Sequence, residues 1–272
     1  MNFGGLINSR LASISRMAAP MAREVTSMPQ RMDYGRMMQS AEPMGMSRGL
    51  SGFGSDIMNR VILKSYPHKV KDFVESFLSN QITCKAWLVE HLKEVLEHKE
   101  EHQLCEKVTI IGSWYGNILV PMLISNFPGI KTIEMIDMDQ DALDISRKFL
   151  QFYPDMYNTK VELKWTCDDV NFRNWATYNT HIMINTSCEH MYHMKQVRCA
   201  NDPQVLYVLQ SNNLYDIREH VSCVKDAVEL STQADITRIY YMGAIELAAA
   251  GGKDFYNRFM VLGKRDKADW FD

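Results

Sequence analysis

The chain lacks several features that would decide its class at once. No apolar run reaches the roughly 18 residues a membrane-spanning helix needs, so no membrane association is expected. Lys and Arg number 30 against 33 Asp and Glu, a net charge of −3 over 272 residues. No global basic field therefore draws it to nucleic acid, which is not an expected partner. The six cysteines (84, 105, 167, 188, 199 and 223) contain no CxxC pair. That removes the usual zinc and dithiol motifs and fits reduced thiols in a cytoplasmic setting. The dinucleotide fingerprint GxGxxG is also unmet, because Trp114 and Asn117 stand at its second and third glycine positions.

What is present is organised around residues 107–139, KVTIIGSWYGNILVPMLISNFPGIKTIEMIDMD. The pattern predicts a buried strand at 107–111, a glycine turn at 112–116 and a helix from 117 to about 126. A second strand follows at 132–136 and ends on Asp137, completing a βαβ unit. Gly112 and Gly116 let the backbone turn sharply and approach a ligand, and the helix behind them points free N–H groups at it. An acid about twenty residues further on accepts hydrogen bonds from ribose hydroxyls. The geometry predicts an adenosine-containing ligand.

Residues 1–55 are different in kind. They hold nine of the 19 methionines and six arginines against three acids, with no sustained periodicity. They read as a flexible, disordered Met/Arg-rich arm. Three uses stay open: an inert tail, a docking arm for a protein partner whose surface methionine can follow, and a targeting segment. The last rests on Arg10, Arg16 and Arg23, which occur with no acid in residues 1–23. Residues 56–106 predict a helical lid. One helix at 67–79 turns Val70, Phe73, Val74 and Phe77 inward, and another at 82–98 does so with Trp87, Leu88, Leu92 and Val95.

Residues 107–272 read as an α/β domain. After Asp137 come a helix at 140–152, strands at 161–166, 181–185 and 204–209, a helix at 217–230, and strands at 237–244 and 255–263. The link AAAGGKD (248–254) has the glycines of a hairpin turn, so the last two strands are expected to pair antiparallel.

Alternating strands and helices closed by a terminal hairpin, with VTIIGSWYGNIL as a glycine motif and IEMIDMDQDALDISRKF as an acidic one, resemble the class I S-adenosylmethionine-dependent methyltransferases over residues 107–264. The resemblance implies a seven-stranded Rossmann-like sheet of order 3-2-1-4-5-7-6 with strand 7 antiparallel, and S-adenosylmethionine as cofactor. It implies cofactor contacts from Gly112, Ser113, Trp114 and Gly116, from Asp137 to the ribose, and from Asp168 or Asp169 to the adenine amino group. INTSCEHM, after strand 4, resembles the EH segment of small-molecule and lipid-type members. Two departures matter. Ile110 stands where the family carries an acid for the cofactor's amino group, and Trp114 replaces the middle glycine. The indole either walls the cofactor or fills its methionine subsite.

Methyl transfer from a sulfonium is an in-line displacement that needs an aligned nucleophile and a destination for a proton. The catalytic candidates are Glu189 or His190 as base, and Asn185 holding an acceptor amine through its side-chain carbonyl. Asn185 does not sit in an NPPY or DPPY box, so methylation of DNA bases has no motif support. Glu189, His190 and His193 are also spaced to bind a divalent metal. The preferred reading has Glu189 capping a helix and the histidines on the surface, with no metal. Cys188 reads as a buried small residue. Tyr115 offers an aromatic surface beside Trp114, and Asn212, Asn213, Tyr215 and Asp216 follow strand 5 on the acceptor side. The expected function is methyl transfer to an unidentified acceptor. The alternative is a catalytically silent domain docked through its arm, for example in a virus particle. A third reading moves the cofactor's aminopropyl chain instead.

Overall fold

The structure, a computed structural model, describes residues 63–98, 104–248 and 255–266. The predicted arm at 1–55 and the turn at 249–254 lie outside the described residues.

Seven strands form one sheet: β1 (Lys107–Ile111), β2 (Thr132–Asp137), β3 (Glu162–Cys167), β4 (Ile182–Asn185), β5 (Leu206–Asn212), β6 (Arg238–Ala248) and β7 (Phe255–Lys264). Their order is β3-β2-β1-β4-β5-β7-β6. The first five pair parallel, and β7 lies antiparallel between β5 and β6. This is the expected order, including the terminal hairpin. The central strands are apolar runs because both faces are covered. Alternate residues divide between two cores. Val108, Ile110, Ile182, Ile184, Leu206, Val208, Met260 and Leu262 face one. Ile111, Met183, Tyr207, Leu209, Phe259 and Val261 face the other. The edge strand β3 is largely exposed or half-buried.

The longer α-helices are α1 (Val70–Glu75), α2 (Ser79–His98), α3 (Leu119–Asn126), α4 (Gln140–Leu150) and α5 (Ala227–Gln233). Among the described residues no helix is long and apolar enough to cross a membrane. The first core packs Trp87, Leu88, Leu92 and Val95 of α2 against the sheet. Each such side chain, fully buried, contributes about 1.5–3 kcal/mol. Asp139 caps α4, accepting from the Ala142 N–H at 3.1 Å, with Asp141 in the first turn and Arg147 and Lys148 in the last. Cap and charges all match the helix dipole.

Two predicted helices are corrected. The one expected over 67–79 is a 3-10 turn at Pro67–Lys69 followed by α1, which stops at Glu75. There Phe77 and Leu78 donate to carbonyls only three residues back, and Ser76 Oγ donates to the Phe73 carbonyl at 2.6 Å. Such bonds tighten and end a helix. The helix expected over 217–230 begins only at Ala227, where Asp226 caps Glu229 N–H at 2.7 Å. Residues before it spend their N–H groups elsewhere. Val221 and Ser222 donate to the Glu189 carbonyl, and Val224 to that of Asn212.

The segment leading into α1 is tied to the start of α4. Lys69 pairs with Asp139, His68 Nε2 lies 2.8 Å from Asp141, and Tyr66 OH donates to Asp144 at 3.4 Å. Asn117 Nδ2 donates to Ser76 Oγ at 2.9 Å. These contacts set α1 and α2 beside the carboxyl ends of the strands, which is where ligands bind in open α/β sheets.

Candidate active site

A cavity of about 460 Å³ lies at the carboxyl ends of β1 to β4, within the about 300–1,000 Å³ typical of small-molecule sites. Its floor is the glycine turn. Gly112 and Gly116 both have φ +60, and a Cβ on Gly112 would stand 2.4 Å from Met191 Cε. The positive φ is what favours glycine there, since the Met191 methyl is the far end of a flexible side chain and could swing aside. Trp114 also has positive φ, 49°, a conformation that costs a non-glycine residue roughly 1–2 kcal/mol. The conformation is held by its N–H, which donates to Asp137 Oδ2 at 2.7 Å. The other Asp137 oxygen accepts from Asp139 N–H at 3.0 Å. Burial raises the pKa of Asp137, and these N–H bonds only partly oppose it. The Trp114 ring lines the cavity and packs against Tyr115, 5.0 Å between centroids.

Tyr115 itself is no cavity wall. It is fully buried against Phe73, edge to face at 5.0 Å, in a small core with Ala142 and Ile145. Asp168 and Asp169 both line the cavity. Asp168 pairs with Arg173 at 2.9 Å, and Asp169 accepts from Asn171 N–H at 2.9 Å.

Beyond β4 the cavity is lined by Thr186, Ser187, Glu189, His190 and Met191. Glu189 is 3 % exposed. Its Oε1 accepts from Arg258 Nη1 at 2.6 Å and from Asn212 Nδ2 at 2.7 Å, while Oε2 has no partner. Arg258 Nη2 donates to the Thr186 carbonyl, and its Nε has no partner. Burial works against the Arg258 charge, but Glu189 more than offsets it. His190 is exposed and meets the His220 ring edge-on at 4.5 Å. His220 Nδ1 lies 2.9 Å from the Leu214 carbonyl. Burial lowers the His220 pKa, with Glu189 opposing and His190 assisting.

Asn185 does not reach the cavity. It is fully buried, its Oδ1 accepts from Ser187 N–H at 2.8 Å, and its Nδ2 contacts the sulfurs of Met191 and Met194. The carbonyl expected to hold an acceptor amine instead shapes the loop after β4. Glu189 caps no following helix either, since its carboxylate is turned to Arg258. Cys188 is buried, and that burial pushes its thiol pKa up. Asn212 serves Glu189, Asn213 accepts from Asn257 N–H at 2.9 Å, and Tyr215 is exposed.

Sequence reasoning missed Lys85, Gln81, Arg258 and His220. Gln81 and Lys85 stand one turn apart on α2, hydrogen-bonded to each other, and both line the cavity. Burial lowers the Lys85 pKa, and the charge of Arg258 lowers it further. Arg258 carried a signal, as a charge at the head of an otherwise apolar strand run (FMVLG). Such residues are almost never buried without a partner.

No family model matches the chain, and no curated protein matches it. Solved structures do. The CMeT domain of the citrinin polyketide synthase aligns at 12% identity over 78% of this chain and 61% of that one, with a TM-score of 0.50. The small RNA methyltransferase HEN1 aligns at 12% over 71% of this chain and 26% of that chain, TM-score 0.48. A SAM-dependent methyltransferase from Methanosarcina mazei aligns at 13% over 60% and 94%, TM-score 0.47. With the sheet order and the antiparallel β7, this defines the class: the described domain has the fold of the class I S-adenosylmethionine-dependent methyltransferases.

Proposed function

We propose that the protein binds S-adenosylmethionine in this cavity and transfers its methyl group to an acceptor held beside Glu189 and His190. The observation that carries the reading is that one cavity joins the glycine turn, Asp137 and Asp168/Asp169 to the polar residues after β4. In this reading the remaining lone pairs of Asp137 take the ribose hydroxyls, and Asp168 or Asp169 faces the adenine. Ile110 lines the cavity where the family's acid would stand, so the methionine portion needs other partners. Lys85, a half-buried cation on the cavity wall hydrogen-bonded to Gln81, suits its carboxylate. The packing of Trp114 on the Tyr115 cluster beside an open cavity supports the aromatic wall over the filled subsite, and with it the enzyme over the silent module.

Glu189 Oε1 is held by Arg258 and Asn212, and in this reading no general base is assigned to the step. Displacement at the sulfonium carbon needs chiefly alignment and exclusion of water, which the ligands themselves complete when they fill the cavity between α2 and the loop after β4, both of which line it.

The test is calorimetric titration with S-adenosylmethionine and S-adenosylhomocysteine. Micromolar binding of both is expected, reduced at least tenfold by Asp137→Ala. A folded protein that binds neither would overturn the reading.

A further inference from the structure

We propose that Glu189, His190 and His220 form a binding site for one divalent transition-metal ion, open to the cavity. One ligand atom from each lies within 4.8 Å of the others. Metal–ligand bonds near 2.0–2.2 Å require a modest closing of that triangle. The exposed His190 ring is free to supply it.

The first argument is the unpartnered oxygen. Arg258 and Asn212 fix Glu189 by Oε1, and Oε2 is buried with no donor. A buried acceptor left bare is expensive, the more so on a charged group, and a cation at that atom removes the cost. The second is the tautomer of His220. Its Nδ1 lies 2.9 Å from the Leu214 carbonyl oxygen, which can only accept, and 3.6 Å from Cys223 Sγ. The shorter contact sets the proton on Nδ1, and Nε2 presents a lone pair. Metal-ligating histidines are oriented by such a bond from the second ring nitrogen. The third is that the two ligand-bearing loops are already laced together. Val221 and Ser222 donate to the Glu189 carbonyl at 2.8 and 3.0 Å, so the ligands are set before any ion arrives. The sequence paired Glu189 and His190 with His193. The fold brings His220 in its place.

One carboxylate oxygen and two imidazole nitrogens suit Zn²⁺, Mn²⁺, Fe²⁺ or Co²⁺ better than Ca²⁺ or Mg²⁺, which favour all-oxygen shells. Three protein ligands leave positions open toward the cavity. This extends the methyl-transfer reading and rests on it in one respect: the open position takes a hydroxyl acceptor. The metal draws charge from that oxygen and eases loss of its proton to solvent. An oxygen lone pair then forms the O–CH₃ bond as the S–CH₃ bond breaks, and the cofactor leaves as a neutral thioether. In this arrangement His190 is a ligand rather than a base.

The experiment is calorimetry on chelator-stripped full-length protein with Mn²⁺, Zn²⁺ and Mg²⁺, and separately with S-adenosylhomocysteine on the same stripped preparation without metal. One Mn²⁺ or Zn²⁺ per chain is expected, at least tenfold tighter than Mg²⁺. His220→Ala and the exposed His190→Ala should each weaken it at least tenfold, with unchanged circular dichroism as the folding control. Metal binding equal in wild type and the double His variant, or none at all, overturns the site. Nucleoside binding without metal binding sinks only the metal site. Metal binding without nucleoside binding sinks the methyl-transfer reading and leaves the metal site standing.

Discussion

Two buried guanidinium groups sit on the same run of chain, one at each end of the sheet, and they are finished differently. Arg265, just past β7 at the amino end of β5, is 2 % exposed. It donates to the carbonyls of Ala234, Val197 and Met194, to Asp202 and to Tyr207 OH. Arg258, paired with Asn212 at the carboxyl end of β5, is 8 % exposed. It meets Glu189 and the Thr186 carbonyl, and leaves its own Nε and Glu189 Oε2 without partners. A buried charge kept for structure has its hydrogen bonds filled from within, because an unfilled one is costly. A buried charge with bonds to spare is waiting for something the chain does not supply. The difference separates the sealed end of the sheet from the end that carries the cavity.

The hardest test of this contrast is to remove each arginine. Arg265→Leu leaves Asp202 with Arg198 and the Tyr207 hydroxyl but empties the bonds to the carbonyls of Ala234, Val197 and Met194. At about 1–3 kcal/mol for each buried acceptor left bare, it should cost about 3–5 kcal/mol, read by urea denaturation. Arg258→Leu should cost less than half as much, because Asn212 still serves Glu189 and the cavity admits water. It should nevertheless weaken metal binding, since the ligand loop loses its anchor. Equal losses of stability would erase the distinction. Asp137→Ala removes the acceptor for Trp114 and Asp139 N–H groups, each bond to a carboxylate being worth about 1.5–3 kcal/mol. It should lower Tm as well as weaken nucleoside binding at least tenfold.

Lys85→Met sharpens the contrast from the other side. The wild-type amine is held below its usual pKa by burial and by Arg258. Between the folded value and the unfolded one the unfolded chain binds more protons, so the wild type gains stability as pH rises through that window. The methionine variant lacks this gain. At neutral pH it should melt higher by a few degrees, about 2–4 °C per kcal/mol for a domain of this size, while binding S-adenosylhomocysteine more weakly. A variant that melts lower would mean Lys85 already has its partner. The smallest effect belongs to the half-exposed latch Lys69–Asp139. Burial raises the Asp139 pKa, but Lys69 and the Ala142 N–H outweigh it, and the net shift is downward. That stability is present above the ordinary carboxylate pKa and fades as pH falls through the folded value. Lys69→Met should therefore cost about 1 kcal/mol or less near neutral pH, and the gap from wild type should close in acid.

The half of the cavity proposed for adenosine was legible in the sequence because its parts are local. Gly112, Gly116 and Asp137 lie within one βαβ unit, and strands buried on both faces announce themselves as apolar runs. The acceptor half was not, because it is assembled across the chain. Arg258 meets Glu189 from 69 residues away, and Lys85 arrives on a helix whose pattern spoke only of packing. The segment 217–226 carried helical spacing, yet its N–H groups are taken by Glu189 and Asn212, a competition no periodicity reveals. Asn185 was placed on the correct strand but the wrong face, since strand ends do not declare which way the last side chain turns.

Trp114 has a further use that follows from where its indole stands. Of the described tryptophans, Trp87 and Trp175 are buried in the cores and Trp165 packs beside Ser146, and only Trp114 borders the cavity. Its emission is therefore a built-in optical probe. A ligand laid against that ring should shift or quench its fluorescence, and stopped flow would then time the occupancy of the cavity without any label.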